Sequence, residues 1–326
     1  MFISVFYDHI TQARQQTGKR LSELLAACRS WGISGLEINY TQLKKGGFRL
    51  RHAIRRAGMS VSCIYEFYDF THCEDLARAK KHVDLAARVG AGKVLIVPGF
   101  LEEREAEELT ALCCGREPGA EQDGAVSAQA PEERYTEKQG PETQTSETQG
   151  SEAQRYAAVA RYMESHTATC LVRDALEQLV RYGRDKGVRI TLEDFDGNTS
   201  PCARMLPLKW LLEQVPGLGF TLDMGNFAYS DEDVAQGYEL LKEYIVHVHC
   251  KDRGQEEKYQ AAEREGRRRH CRGLACVPAG GGYLPIGELV TRLKAQGYDG
   301  YLAIEHFDAP DQMEYIRRSA DYLKNI

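Results

Sequence analysis

The chain has 326 residues, a formal net charge of −6 and a hydrophobic content of 42%. At roughly 100–200 residues per domain this length suggests two domains, although α/β barrels of about 250 residues form one. Residues 116–155 hold only Val126 and Tyr135 as large apolar side chains and carry eight Glu and one Asp against one Lys and three Arg; the other 286 residues have a net charge of only −1. A near-neutral body excludes general nucleic-acid binding, which needs a basic surface to release counterions. No run approaches the ~20 apolar residues of a membrane span.

Ten cysteines occur without a CxxC pair. The start, Met1-Phe-Ile-Ser-Val-Phe-Tyr-Asp8, has no basic segment and too short an apolar run for a signal peptide. These features predict a cytoplasmic protein with reduced thiols. Cys271 and Cys276 form a C-x4-C pair with no second pair to complete a metal site.

In chain order, short apolar runs alternate with segments of helical period. Phe2–Tyr7 is the first strand and Leu21–Trp31 an amphipathic helix. Strand Gly35–Tyr40 precedes helix Leu50–Ala57, and strand Val61–Phe67 precedes helix Glu74–Val89. Lys93–Pro98 is the fourth strand, followed by the polar segment and a helix near Thr167–Lys186. Then come strand Arg189–Glu193, helix Leu208–Val215, strand Leu218–Asp223, helix Glu232–Tyr244 and strand Ile245–His249. A long loop leads to helix Ile286–Gln296, and strand Tyr301–Glu305 and helix Gln312–Leu323 close the chain.

Nearly unbroken apolar strands are buried on both faces, as parallel sheets require. Eight β–α units close into a (β/α)8 barrel. A doubly wound open sheet would carry GxGxxG after its first strand, and none is present. The chain therefore reads as a single barrel domain, 1–326. Residues 116–155 interrupt it after strand 4 as a low-complexity, disordered insertion, too polar to offset its own ordering entropy. A lid or docking arm is the other reading of that segment.

Catalytic residues of such barrels sit at the C-terminal ends of strands. Strand 5 ends in Glu193, strand 6 in Asp223, strand 7 in His249 and strand 8 in Glu305. Any one of these acids could be a rim charge paired with a neighbour, but four consecutive strand ends point to one shared cation. The mixed oxygen and nitrogen set suits a single divalent ion, Mn, Co, Mg, Fe or Zn, without choosing among them.

The motifs Thr221-Leu-Asp-Met-Gly-Asn226, Val246-His-Val-His-Cys-Lys-Asp252 and Gly297-Tyr-Asp-Gly-Tyr-Leu-Ala-Ile-Glu305 resemble the sugar phosphate isomerase/epimerase group with the xylose isomerase-like TIM barrel. Gly32–Glu37 matches its second strand, and Gly280–Glu288 resembles its glycine loop. The resemblance covers the chain except about 101–160. It implies one divalent metal held by Glu193, Asp223, His249 and Glu305, proton-transfer chemistry on a small carbohydrate, and the homo-oligomers common in the group. It implies neither a nucleic-acid nor a membrane partner.

The expected chemistry is removal of a proton next to a carbonyl, with a metal stabilising the enediolate. Glu193 and Glu305 are the pair that takes and returns the proton. Return on one face makes an isomerase, and return on the opposite face an epimerase. Lys251 and Arg253 are candidates for a substrate hydroxyl, carboxylate or phosphate. Glu37 and Glu66 end strands 2 and 3 and are candidates for substrate hydroxyls, with His9 lining the pocket. His247 is expected to pack away from His249. Asn226 stands where ketose 3-epimerases of the group have His, which weakens that narrower reading and leaves Asn226 as a neutral substrate contact.

The alternatives are a dehydratase of inosose type on the same site, or a non-catalytic binding or partner subunit. The apurinic endonuclease relatives need extra His ligands, which Tyr65-Glu66 and Val97-Pro-Gly99 do not supply. The loop Glu263–Arg272 holds five Arg. It reads as a solvated turn, or as a contact for phosphate, a partner subunit or the acidic insertion.

Overall fold

A computed structural model describes residues 1–116 and 146–326 apart from 256, 262–267 and 273; for 146–151, 257–261 and 268–272 it describes the backbone alone. Eight parallel strands form a closed barrel: β1 (Phe2–Phe6), β2 (Ile33–Asn39), β3 (Ser60–Phe67), β4 (Lys93–Val97), β5 (Arg189–Glu193), β6 (Gly219–Asp223), β7 (Ile245–Cys250) and, last in the chain, β12 (Tyr301–Ile304). β1 closes the ring by pairing with both β2 and β12. Each sequence run marked as a strand is one of these eight, because both faces of a barrel strand are covered and both select apolar side chains.

The helices that surround the barrel include α1 (Tyr7–Thr17), α2 (Leu21–Ser30), α3 (Tyr40–Arg56), α4 (Leu76–Val89) and α5 (Glu103–Cys113). They continue with α6 (Ser146–Ser165), α7 (Thr167–Arg184), α8 (Met205–Gln214), α9 (Val234–Leu241), α10 (Ile286–Ala295) and α11 (Gln312–Asn325). The apolar stripe of α7 (Val172, Leu176, Leu179 and Val180) is buried, and α7 packs on α4 and β5. Trp210 of α8, Phe220 of β6 and Tyr238 of α9 are among the largest fully buried side chains.

Three local differences from the sequence reading have physical causes. α1 is unexpected because its buried set, His9, Ile10 and Ala13, includes one large apolar residue. α3 begins at Tyr40 rather than Leu50, its first turn capped by Asn39, whose side chain accepts from the amides of Thr41 and Gln42, and a kink at Gly47 (φ 52°, ψ −139°) separates this added part from the helix expected at Leu50. α6 takes in residues 146–155, which the sequence reading assigned to the insertion; Val159 and Met163 further along it are fully buried. The remainder of the insertion, 117–145, lies outside the described residues.

The expected long loop after β7 also holds antiparallel pairing. β8 (Asp252–Gly254) pairs with β11 (Ala275–Val277), and β9 (Glu257–Ala261) with β10 (Arg268–Arg272). The side chains of the Arg-rich stretch lie outside the described residues. Among the described residues no helix is long and apolar enough to cross a membrane.

Candidate metal centre

Glu193 ends β5, Asp223 ends β6, His249 lies one residue before the end of β7, and Glu305 follows β12 directly. One ligand atom from each lies within 4.8 Å of the others. Around His249 Nδ1, Glu305 Oε2 stands at 3.1 Å, Glu193 Oε2 at 3.2 Å and Asp223 Oδ2 at 3.7 Å. His249 and Asp223 are fully buried and Glu305 is nearly so.

The protein holds one end of three of these side chains and leaves the other end open. Asp223 Oδ1 accepts the Gly225 amide at 2.7 Å. Glu305 Oε1 lies 2.8 Å from Lys251 Nζ. His249 Nε2 faces Glu37 Oε1 at 3.3 Å. Their other atoms, Asp223 Oδ2, Glu305 Oε2 and His249 Nδ1, have no hydrogen-bond partner. Buried polar atoms are ordinarily partnered, so three orphans converging on one point fit a cation. Three carboxylates and an imidazole are a donor set for a divalent ion of hard to borderline character.

The electrostatics agree. Burial, with the nearby charges of Glu305 and Asp223, pushes the Glu193 carboxyl up to about 7. Burial raises Asp223 as well. For Glu305 burial acts in the same direction, but the Lys251 ammonium and His249 outweigh it and hold its carboxyl well below the usual range. The site thus carries more buried negative charge than its own bases neutralise, the condition under which a cation lowers the energy.

Lys251 is buried and reaches Asn226 Oδ1 at 2.7 Å. Asn226 donates its own amide to the Asp194 carbonyl at 2.7 Å, so it orients the lysine. A Cβ on Gly225 would sit 2.7 Å from the Lys251 carbonyl, so only glycine lets these two segments meet. The Arg253 guanidinium lies over the Tyr229 ring, 5.0 Å from its centroid. Between them, Asp252 gathers the loop that follows β11: its carboxylate accepts the amides of Gly280, Gly282 and Leu284 at 2.9, 3.0 and 3.3 Å.

Three expected substrate contacts are placed differently. Glu37 is fully buried beneath the site, with His247 Nε2 on its Oε2 at 2.8 Å and His249 on its other oxygen, so its carboxylate faces imidazoles and not the barrel mouth. Glu66 accepts from Thr41 Oγ1 at 2.7 Å, Asn39 Nδ2 at 3.3 Å and the Phe67 amide at 3.0 Å, which ties it into the rim. His9 is fully buried, stacked on His306, and its Nε2 accepts the His306 amide at 2.9 Å. His247, expected to pack away from His249, points inward alongside it, because side chains two apart on a strand share a face.

Sequence reasoning missed Asp194, whose Oδ1 accepts the Asp223 amide at 2.9 Å. Its signal was the acidic run Glu193-Asp-Phe-Asp196. It also missed aromatic rings after the strand ends: Phe67 and Phe100 each lie within 6 Å of Phe195, and Phe307 packs edge-on to Phe6.

Residues 153–326 match the family model for the xylose isomerase-like TIM barrel. The chain belongs to that family. Solved structures share the xylose isomerase-like barrel at low identity. A probable 3-DHS dehydratase from Bacillus anthracis is 13% identical, with TM-score 0.61 over 100% of this chain and 99% of that one. A sugar phosphate isomerase/epimerase from Parabacteroides distasonis is 11% identical, with TM-score 0.59 over 98% and 92%. A xylose isomerase-like protein from Mycobacterium smegmatis, solved with magnesium, is 16% identical, with TM-score 0.56 over 93% and 87%. No curated protein matches the chain.

Proposed function

We propose that the chain is a divalent-metal-dependent isomerase or epimerase of a small sugar, sugar phosphate or related polyol. The observation that carries this reading is the convergence of Asp223 Oδ2, His249 Nδ1 and Glu305 Oε2, all buried and without hydrogen-bond partners, beside Glu193. A divalent ion held there supplies charge stabilisation for the enediolate that forms when a carbon next to a carbonyl loses its proton.

The protein's own groups do the rest. β5 and β12 stand on different sides of β7 in the barrel. Their carboxylates, Glu193 and Glu305, approach the same imidazole nitrogen from those two sides. One takes the proton and the other returns it. Lys251, fixed between Asn226 and Glu305, offers its ammonium to a substrate oxygen or phosphate. Arg253 on Tyr229 offers a second cationic group. The rings of Phe67, Phe100 and Phe307 offer apolar surface to the C–H faces of a sugar. The free cysteines among the described residues suit a reducing, cytoplasmic setting.

A dehydratase on the same site is the second reading, favoured by Lys251. A buried ammonium 2.8 Å from Glu305 is placed to hydrogen-bond a departing hydroxyl, and Glu193, whose carboxyl burial pushes up to about 7, can deliver to that hydroxyl the proton it takes from carbon. The deciding experiment measures metal content and then solvent deuterium incorporation into a panel of ketoses and inosose. Exchange without water loss supports the isomerase or epimerase. Formation of an absorbing enone supports the dehydratase. A protein that binds no divalent ion and exchanges no proton overturns both.

A further inference from the structure

We infer that Glu37 is the positioning residue for the metal-site histidine: it holds the proton of His249 on Nε2 and thereby presents the Nδ1 lone pair to the cation. The inference rests on the metal reading above and adds a residue that touches neither substrate nor ion.

A neutral imidazole carries one N–H, and which nitrogen keeps it is set by the hydrogen bond that the other end makes. A carboxylate only accepts, so Glu37 keeps a proton on His249 Nε2; Nδ1 also faces carboxylates, Glu305 Oε2 at 3.1 Å and Glu193 Oε2 at 3.2 Å, and a proton there is the one that a cation between these groups would displace. Glu37 lies on β2, across the barrel from β7, and is fully buried. Its Oε1 is 3.3 Å from His249 Nε2 and its Oε2 is 2.8 Å from His247 Nε2. The carboxylate therefore bridges two imidazoles that lie nearly perpendicular, at 87°. Both Nδ1 atoms are without partners, and only that of His249 faces other ligands. The Phe6 ring stands edge-on to His249 at 5.0 Å between centroids and resists rotation of its ring.

Cys63 completes a second group with Glu37 and His247, close enough together for a metal. The Glu37 oxygens are already committed to imidazoles, and Cys63 Sγ donates to the Ile64 carbonyl at 3.7 Å, so the support beneath the ion site is the Glu37–His247 pair, without the thiol. His247 steadies the carboxylate from below, and Glu37 passes that order to His249. Carboxylate–histidine–metal arrangements of this kind fix both the tautomer and the orientation of the ligand ring.

Glu37→Gln is the informative change. An amide presents one acceptor and one donor, so it cannot accept from both imidazoles, and one ring must change tautomer or lose its partner. Mn2+ or Co2+ alone is titrated into the wild type, Glu37→Gln, Glu37→Asp, His247→Gln and Cys63→Ser, with calorimetry for affinity and the visible spectrum for the Co2+ forms. The expected loss of affinity for Glu37→Gln is about 10- to 100-fold, with an altered cobalt spectrum. Glu37→Asp should recover part of it, and His247→Gln should give a smaller loss. Cys63→Ser, at the same depth, should bind as the wild type does. If Glu37→Gln does not fold, His247→Gln and the nitrogen NMR shifts of His249 in the wild type loaded with Mg2+ or Zn2+ carry the test. Loss of the proton from His249 Nε2 in the metal-loaded wild type overturns the inference. So does wild-type affinity in Glu37→Gln, or a Cys63→Ser loss as large as that of Glu37→Gln. A wild type that binds no ion overturns the metal reading itself, and is distinguished from these by the wild-type titration.

Discussion

Lys251 Nζ lies 2.8 Å from Glu305 Oε1, and each side chain is only 5% exposed. Removing one partner of a buried ion pair leaves the other charge uncompensated, at a cost of about 3–5 kcal/mol. Lys251→Met should therefore lower stability in urea unfolding by an amount of that order. It should also abolish turnover, because Glu305 loses the charge that keeps it ionised. Unchanged unfolding would mean that the pair is open to water.

Gly225 gives a sharper test of geometry. A methyl group at this position would meet the Lys251 carbonyl at 2.7 Å and its Cγ at 2.9 Å. Gly225→Ala should displace the lysine, and a misplacement of ~1 Å costs about 100-fold in rate. The expected outcome is a fall in kcat with the fold retained, read from steady-state kinetics beside circular dichroism.

Metal removal should be visible without any substrate. A ligand that binds only the folded state stabilises it by about 2.7 kcal/mol at one hundred times its dissociation constant. Dialysis against chelator should lower the thermal midpoint by several degrees, and added Mn2+, Co2+ or Mg2+ should restore it. Asp223→Asn combined with His249→Gln should erase this dependence on added ion. A midpoint indifferent to chelator and ion in the wild type would count against the centre.

His82 makes a prediction that is independent of the site. It is fully buried on α4, beside the Tyr68 hydroxyl at 2.9 Å, and burial lowers its pKa to about 3. Its folded pKa lies below that of the unfolded chain, so the unfolded state takes up the proton first as pH falls. Stability is complete above the unfolded value near 6.5 and is lost between there and about 3, at about 1.4 kcal/mol per pH unit for this group. His82→Gln should flatten that part of the stability–pH curve in denaturant titrations.

Much of the architecture was readable because barrel strands announce themselves. Val94–Val97 is buried on both faces, and so its sequence is apolar without alternation. The four candidate ligands were readable for a related reason, since each is a polar residue at the end of such a run. α1 was not readable, because its exposed side needs polar residues and its inward stripe is thin. The positions of Glu37 and Glu66 were not readable either. Whether a strand-end carboxylate meets the mouth, the rim or a buried imidazole depends on the register between strands, and here that register places Glu37 level with Cys63 and beneath His249.

The grip of Asp252 on the amides of Gly280, Gly282 and Leu284 has a consequence for redesign. The aspartate ties the Lys251–Arg253 segment to the glycine loop, although 26 residues of chain lie between Arg253 and Gly280. Transplanting the loop from a relative without its aspartate, or the lysine without its loop, should deliver neither. The part to move in any redesign is Lys251–Arg253 together with Gly280–Leu284, joined through the Asp252 carboxylate.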